Sequence, residues 1–232
     1  MIQLVRPTEP ESLTRFRARW TTRWTDSLRD GSRIDWATPS AKRILRGLLL
    51  ALSRGKCAFC EGILRLTSSD EIEHYHAKTV RPELVFDWPN LFPACGICNR
   101  SKGDLDHQGR LLKPDTENPE LLLWLNPDTG ELQPHPALDA EPEQARRVKE
   151  TIEAYGLQRG ALCAQRIEMM DEVNRWLRRI DNQADISQEC REEWEKLIHP
   201  SRTLKFVIRH VLTLGGQPQL AEIDRQRFRG QV

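Results

Sequence analysis

Four cysteines form two Cys-x2-Cys pairs, Cys57/Cys60 and Cys95/Cys98, with 34 residues between them. Thiolates in that spacing can supply the full ligand set of one tetrahedral zinc ion. Four sulfurs close the coordination sphere, so such a metal holds structure and leaves no position for a reacting water. Chemistry must then come from the polar residues clamped between and just after the pairs. These are Glu73 and His74, then Asn90 in Trp88-Pro-Asn-Leu91, then Asn99 and Lys102 behind the last cysteine. A carboxylate (Glu73) and an amide oxygen (Asn99) suit a hard cation such as Mg²⁺. A neighbouring imidazole (His74) can take a proton from water, and Lys102 and Arg100 can meet phosphate oxygens. From the cysteines alone, a purely structural zinc knuckle with incidental His and Asn stands slightly ahead of an enzyme. The residues beside the cysteines shift that balance.

The elements that must position these groups can be read from periodicity. Thr8 and Glu11 predict a capping box at a helix start. Leu13, Phe16, Trp20, Trp24 and Leu28 follow at helical spacing until Asp30-Gly31. Thr38-Pro39 predicts the cap of a second helix through Leu52, stopping near Gly55. Between the cysteine pairs we expect a hairpin of Ile63–Leu66 and Asp70–Tyr75 joined by Thr67–Ser69. A loop over 76–87 should follow, then a turn from Trp88 back to the second knuckle, and a short helix from Asn99 to Gly103. Leu111–Pro114, Leu121–Leu125 and Glu131–Gln133 read as extended, and the Pro-rich stretch from Gln133 to Ala140 as a linker. Helical patterns then run through Ala145–Tyr155, Leu162–Ile180, Ser187–Ile198 and Thr203–Leu214. The remaining histidines carry less. His76 shares a strand face with His74 by period two, whereas His107, His135 and His199 lie in loop or Pro-flanked positions. Cys163 and Cys190 sit among apolar residues and read as buried thiols.

Composition bounds the class. The chain has 232 residues, 30% of them charged, and a net charge of +1. No apolar run approaches a membrane span and the first residues lack a signal-peptide core. Cysteine usage favours a reducing cytoplasm over a disulfide scaffold. The neutral total hides an asymmetry, because residues 1–56 hold 12 Lys/Arg against 5 Asp/Glu. A basic arm of that kind suits a polyanion, and equally a solvated helix face. The fold expected is α+β, mostly α, with four parts: a basic helical region (1–56), a zinc-stapled core (57–110), a hairpin extension and linker (111–140), and a helical region (141–232).

The Cys57-x2-Cys60 pair, Ile72-Glu73-His74, Asn90-Leu91 and Cys95-x2-Cys98-Asn99-x2-Lys102-Gly103 together resemble the HNH endonucleases, in the variety stapled by two cysteine pairs. The resemblance implies a ββα-metal fold with a structural Zn²⁺ on Cys57, Cys60, Cys95 and Cys98. It further implies that His74 is the general base, that Glu73 and Asn99 hold a catalytic Mg²⁺ or Mn²⁺, and that Asn90 orients the base through backbone hydrogen bonds. Two departures stand out: Asn99 replaces the last His of the family pattern, and Glu73 stands where many members have Asp. Flanking motifs, including Asp87-Trp-Pro-Asn-Leu, Pro114-Asp-Thr-Glu-Asn-Pro119 and Gly156-Leu157-x5-Cys163-x2-Arg166, resemble the PtuB-type HNH subunit of Septu anti-phage systems over roughly residues 40–170. That similarity implies nucleic-acid cleavage, DNA before RNA, beside a PtuA-type ATPase. A self-contained HNH nuclease and a non-catalytic zinc-stapled binding module are the alternatives.

Overall fold

A computed structural model describes residues 1–32, 34–64, 70–105, 107–181, 187–199 and 202–229. The described residues form a mostly helical α+β structure with two small two-stranded sheets. Their buried apolar side chains make one cluster that runs from the first residues to Phe228. Among the described residues no helix is long and apolar enough to cross a membrane.

Helix α1 (Glu11–Arg29) starts at Pro10, with no side-chain cap. The capping box expected from Thr8 and Glu11 therefore does not form; the Pro10 carbonyl takes the Leu13 and Thr14 amides instead. The predicted stripe is only partly buried. Leu13 and Trp24 are enclosed, Leu28 is 41% exposed, and Trp20 packs on Phe86 at 5.3 Å. Helix α2 (Pro39–Ser53) follows expectation more closely. The Thr38 hydroxyl accepts from Ala41 N, Pro39 opens the helix, and Ala41, Leu45, Leu49 and Leu52 form its buried face.

Strand β1 (Asp70–His74) pairs antiparallel with β2 (Leu91–Cys95), in a register that sets Glu73 opposite Phe92 and His74 opposite Leu91. This corrects the expected hairpin. Ile63 instead bridges Lys56 across the first knuckle, and residues 65–69, the rest of the expected strand and its turn, lie outside the described residues. Strand β2 escapes sequence reading for two physical reasons. All five of its residues are buried, so polarity does not alternate. It also contains Pro93, which normally argues against a strand. The Pro93 carbonyl accepts from Ala58 N of the first knuckle. Its backbone thus turns away from β1, where a missing N–H costs no ladder bond. Helix α3 (Gly96–Lys102) follows β2 directly and packs on both strands.

A one-turn helix α4 (Pro119–Leu122) leads into a second sheet of β3 (Leu123–Leu125) and β4 (Leu132–Pro134). The turn between them closes at Gly130 with φ 69°. Residues 133–140, expected as a linker, are folded: they complete β4, form a 3-10 turn over Pro136–Leu138 and bury Leu138. Helices α5 (Pro142–Ala154), α6 (Gly160–Asp181), α7 (Gln188–Leu197) and α8 (Lys205–Leu214) match the predicted periodic stretches. A further helix, α9 (Pro218–Arg229), was not expected, although Pro218 at its start and Ala221, Asp224 and Phe228 along one face mark it.

Candidate functional site

The two cysteine knuckles converge. The ligand atoms of Cys57, Cys60, Cys95 and Cys98 lie within 4.8 Å of one another, all four are free of disulfides, and the Cys60 and Cys95 sulfurs are 3.8 Å apart. A tetrahedral site with zinc–sulfur bonds of about 2.3 Å has sulfur–sulfur edges of about 3.8 Å. The donor set therefore fits a structural zinc ion. Cys95 also caps α3, where its sulfur accepts from Cys98 N at 3.5 Å. Arg159, which sequence reading passed over, brings its guanidinium to 3.7 Å from the Cys98 sulfur and offsets thiolate charge. Phe59 of the first knuckle stacks on Tyr155 at 3.6 Å.

Beside this staple, β1, α3 and α2 enclose a cavity of about 620 Å³ lined by Glu73, His74, Asn99 and Lys102. His74 is buried. Its Nε2 lies 3.0 Å from the Val85 carbonyl. A carbonyl can only accept, so Nε2 carries the proton and Nδ1 keeps the lone pair. Desolvation, helped by the nearby Lys78 and Lys102 charges, lowers the His74 pKa to about 3. The ring is therefore neutral at ordinary pH and its lone pair is available. Trp36, ahead of α2, meets the imidazole edge-to-face at 4.7 Å.

Asn90 is enclosed behind His74. Its side chain accepts from His76 N at 2.7 Å and donates to the His76 and Leu84 carbonyls. It thereby ties the loop that carries Val85, and Val85 in turn fixes the His74 ring. Asn99 donates from Nδ2 to Glu71 Oε2 at 2.5 Å, which leaves its Oδ1 as the atom able to hold a cation. Glu73 is 2% exposed and pairs with Lys102 Nζ at 2.6 Å. Burial outweighs that lysine and pushes the Glu73 pKa up to about 7. The pair with Lys102 runs through Glu73 Oε1, so Oε2 is the oxygen that could hold a hard cation, with Asn99 Oδ1 as second ligand.

Lys102 is placed otherwise than expected. Rather than projecting to a phosphate, it is 1% exposed and donates to the His74 carbonyl at 2.7 Å as well as pairing with Glu73. Arg100 is the outward cation, 3.4 Å from Glu71. His76 does not line the cavity; the strand ends at His74, and period two no longer applies beyond it. His135 caps the 3-10 turn before Leu138. Glu71 was missed, although it lies two residues before Glu73 on the same strand face. Trp36 gave no signal, because only the folded chain brings it to His74.

No family model matches the chain. It is similar to the Septu protein PtuB of Bacillus thuringiensis, 35% identical over 121 residues that cover 51% of this chain and 44% of that protein. A second Septu protein PtuB, from Bacillus mycoides (strain KBAB4), is 27% identical over 152 residues, covering 56% and 52%. The chain thus spans about half the length of the curated relatives it matches, and over that half it is PtuB-like in sequence.

Proposed function

We propose that this chain is a metal-dependent HNH endonuclease, the nuclease subunit of a Septu-like anti-phage defence complex, acting in the cytoplasm beside a PtuA-type ATPase. The observation that carries the reading is His74, held by Val85 through Nε2 with Nδ1 free as a base, in one cavity with Glu73 and Asn99. The order β1, β2, α3 behind a four-cysteine staple supports an HNH ββα core, and the similarity to two Septu PtuB proteins supports the defence setting.

The chemistry follows from these placements. His74 Nδ1 accepts a proton from a water placed behind the phosphorus. The new P–O bond forms as the P–O3′ bond breaks, and the 3′ oxygen departs with the electron pair and takes up a proton. Glu73 and Asn99 would hold Mg²⁺ or Mn²⁺, which would supply neutralisation of the charge that develops in the transition state. Asn90 keeps the base oriented, and Lys102 keeps Glu73 and the end of β1 in place. None of this needs a particular sugar, so DNA is the default and RNA the comparison.

One observation favours a non-catalytic zinc-stapled module: the Glu73 carboxylate is already paired with Lys102. Cleavage of supercoiled plasmid with Mg²⁺ or Mn²⁺ separates the two readings, run with and without the ATPase and nucleotide. We expect the parent to nick or linearise the plasmid. His74→Ala should lose about 10²- to 10⁴-fold in rate, the range for a removed general base, while keeping its zinc content and a cooperative melt. Equal cleavage by both proteins would sink the assignment of His74, and no cleavage in any combination would favour the module.

A further inference from the structure

Among the described residues the cavity is lined by more cations than acids. Three acids line it there, and each faces a cation of the β1–β2–α3 region. Glu73 pairs with Lys102 at 2.6 Å, Glu71 with Arg100 at 3.4 Å, and Asp104 with Lys78 at 3.4 Å. The wall supplied by α2 adds Lys42 and Arg46 and no acid. Among the described residues, the charged part of the lining that α2 supplies is therefore wholly basic, and α2 lies outside the zinc-stapled core.

These two side chains are also well placed. Positions 42 and 46 are one turn apart, so they share a helix face with Cβ atoms about 6 Å apart. That step is comparable with the separation of successive phosphates along one strand. Lys42 Nζ lies 6.0 Å from the centre of the Trp36 ring, and Trp36 touches His74. Lys42 also meets Asp35 at 3.4 Å, but Asp35 is 76% exposed. A pair so open to solvent is screened and readily exchanged for a phosphate. Arg46 is exposed at the cavity rim.

We infer that α2 is the strand-binding wall of this cavity, with Lys42 and Arg46 each taking a backbone phosphate next to the scissile bond of a nucleic-acid strand. This rests on the nuclease reading for the word scissile, but the binding it describes is measurable without cleavage.

The test is fluorescence anisotropy of the full zinc-loaded chain in the His74→Ala background. The probes are a labelled DNA duplex and, in a parallel arm, an RNA of the same sequence, over about 50–200 mM salt. Lys42→Ala and Arg46→Ala should each weaken binding several-fold. Each should lower the slope of log affinity against log salt by about 0.9 on duplex DNA, one phosphate contact apiece. Arg43→Ala removes the same charge from the same helix, at an exposed position that does not line the cavity, and should leave the slope where it was. Equal losses in all three variants would mean diffuse attraction and overturn the proposal, as would parent-like slopes at 42 and 46 or no binding by the parent. If the parent never cleaves but its binding depends on Lys42 and Arg46, the nuclease reading falls and the wall stands. If the wild-type chain cleaves and these variants bind with the affinity and salt slope of their His74→Ala parent, the wall falls alone.

Discussion

Glu73 and His74 are neighbours in sequence and opposites in electrostatics. His74 is kept neutral by burial, whereas burial raises the Glu73 pKa against the opposing pull of Lys102. That both residues would meet Asn99 in one cavity was legible, because a carboxylate, an imidazole and an amide at fixed offsets from cysteine pairs form an uncommon combination. The direction of Lys102 was not, because where a long side chain turns depends on what tertiary packing puts beneath it. A pH prediction follows from Glu73. Its folded pKa, about 7, lies above the ordinary 4.5. Between those values the folded chain binds more protons than the unfolded one, so this group's stabilisation is complete below about pH 4.5 and is lost as pH rises through about 7. Urea midpoints from pH 5 to 8, without added Mg²⁺, should therefore fall in the parent relative to Glu73→Gln. A parent that gains on Glu73→Gln over that range would show that Lys102 wins over burial. Loading of a divalent cation on Glu73 should improve through the same window, since the ion competes with the proton.

At the scale of elements, period decided what could be read. The helices announced themselves through apolar residues every three or four positions, and Thr38-Pro39 marked the start of α2 to the residue. Strand β2 did not, because a segment buried on both faces has no alternation to detect and its proline points the wrong way. The hairpin of β3 and β4 was visible through Asn126-Pro-Asp-Thr-Gly130, but not what its turn rests on. Gly130 has φ 69°, and a Cβ there would stand 2.3 Å from the Cys163 carbonyl oxygen at the start of α6. Arg166 donates to the Gly130 carbonyl from the same helix. Gly130→Ala combines a left-handed backbone penalty with a collision against main chain, and should cost at least about 2 kcal/mol. Thermal or urea unfolding checks it. A midpoint within the range of an ordinary surface change, about 0.5 kcal/mol, would mean that the turn does not sit on α6.

For the molecule as a whole, the C-terminal helices belong to the wall of the zinc staple. Phe206 N at the start of α8 lies 3.4 Å from both Glu61 carboxylate oxygens, next to the first knuckle. Lys56 Nζ donates to the Arg202 carbonyl at 3.1 Å, Tyr155 stacks on Phe59, and Arg159 reaches the Cys98 sulfur. Helix α8 is itself locked to α9 and α4 through enclosed charges: Asp224 pairs with Lys205 and Arg209, and Arg209 continues to Glu120. Sequence reading set these helices apart as a separate region, because contacts between residues 61 to 146 apart leave no local trace. A chain ending at residue 133 would strip the aromatic and cationic cover from the four sulfurs and leave Glu61 and Glu120 without those partners. We expect that fragment to bind less than one zinc per chain and to melt without cooperativity, checked by metal analysis and circular dichroism. A fragment that holds one zinc and melts sharply would show that the core needs none of this cover. The first outcome also decides how docking of the proposed ATPase partner must be sought. Loss of partner binding on truncation would only report unfolding, so the docking surface has to be mapped by substitutions in the full chain at exposed apolar positions such as Leu121 and Leu214, which are 67% and 56% exposed.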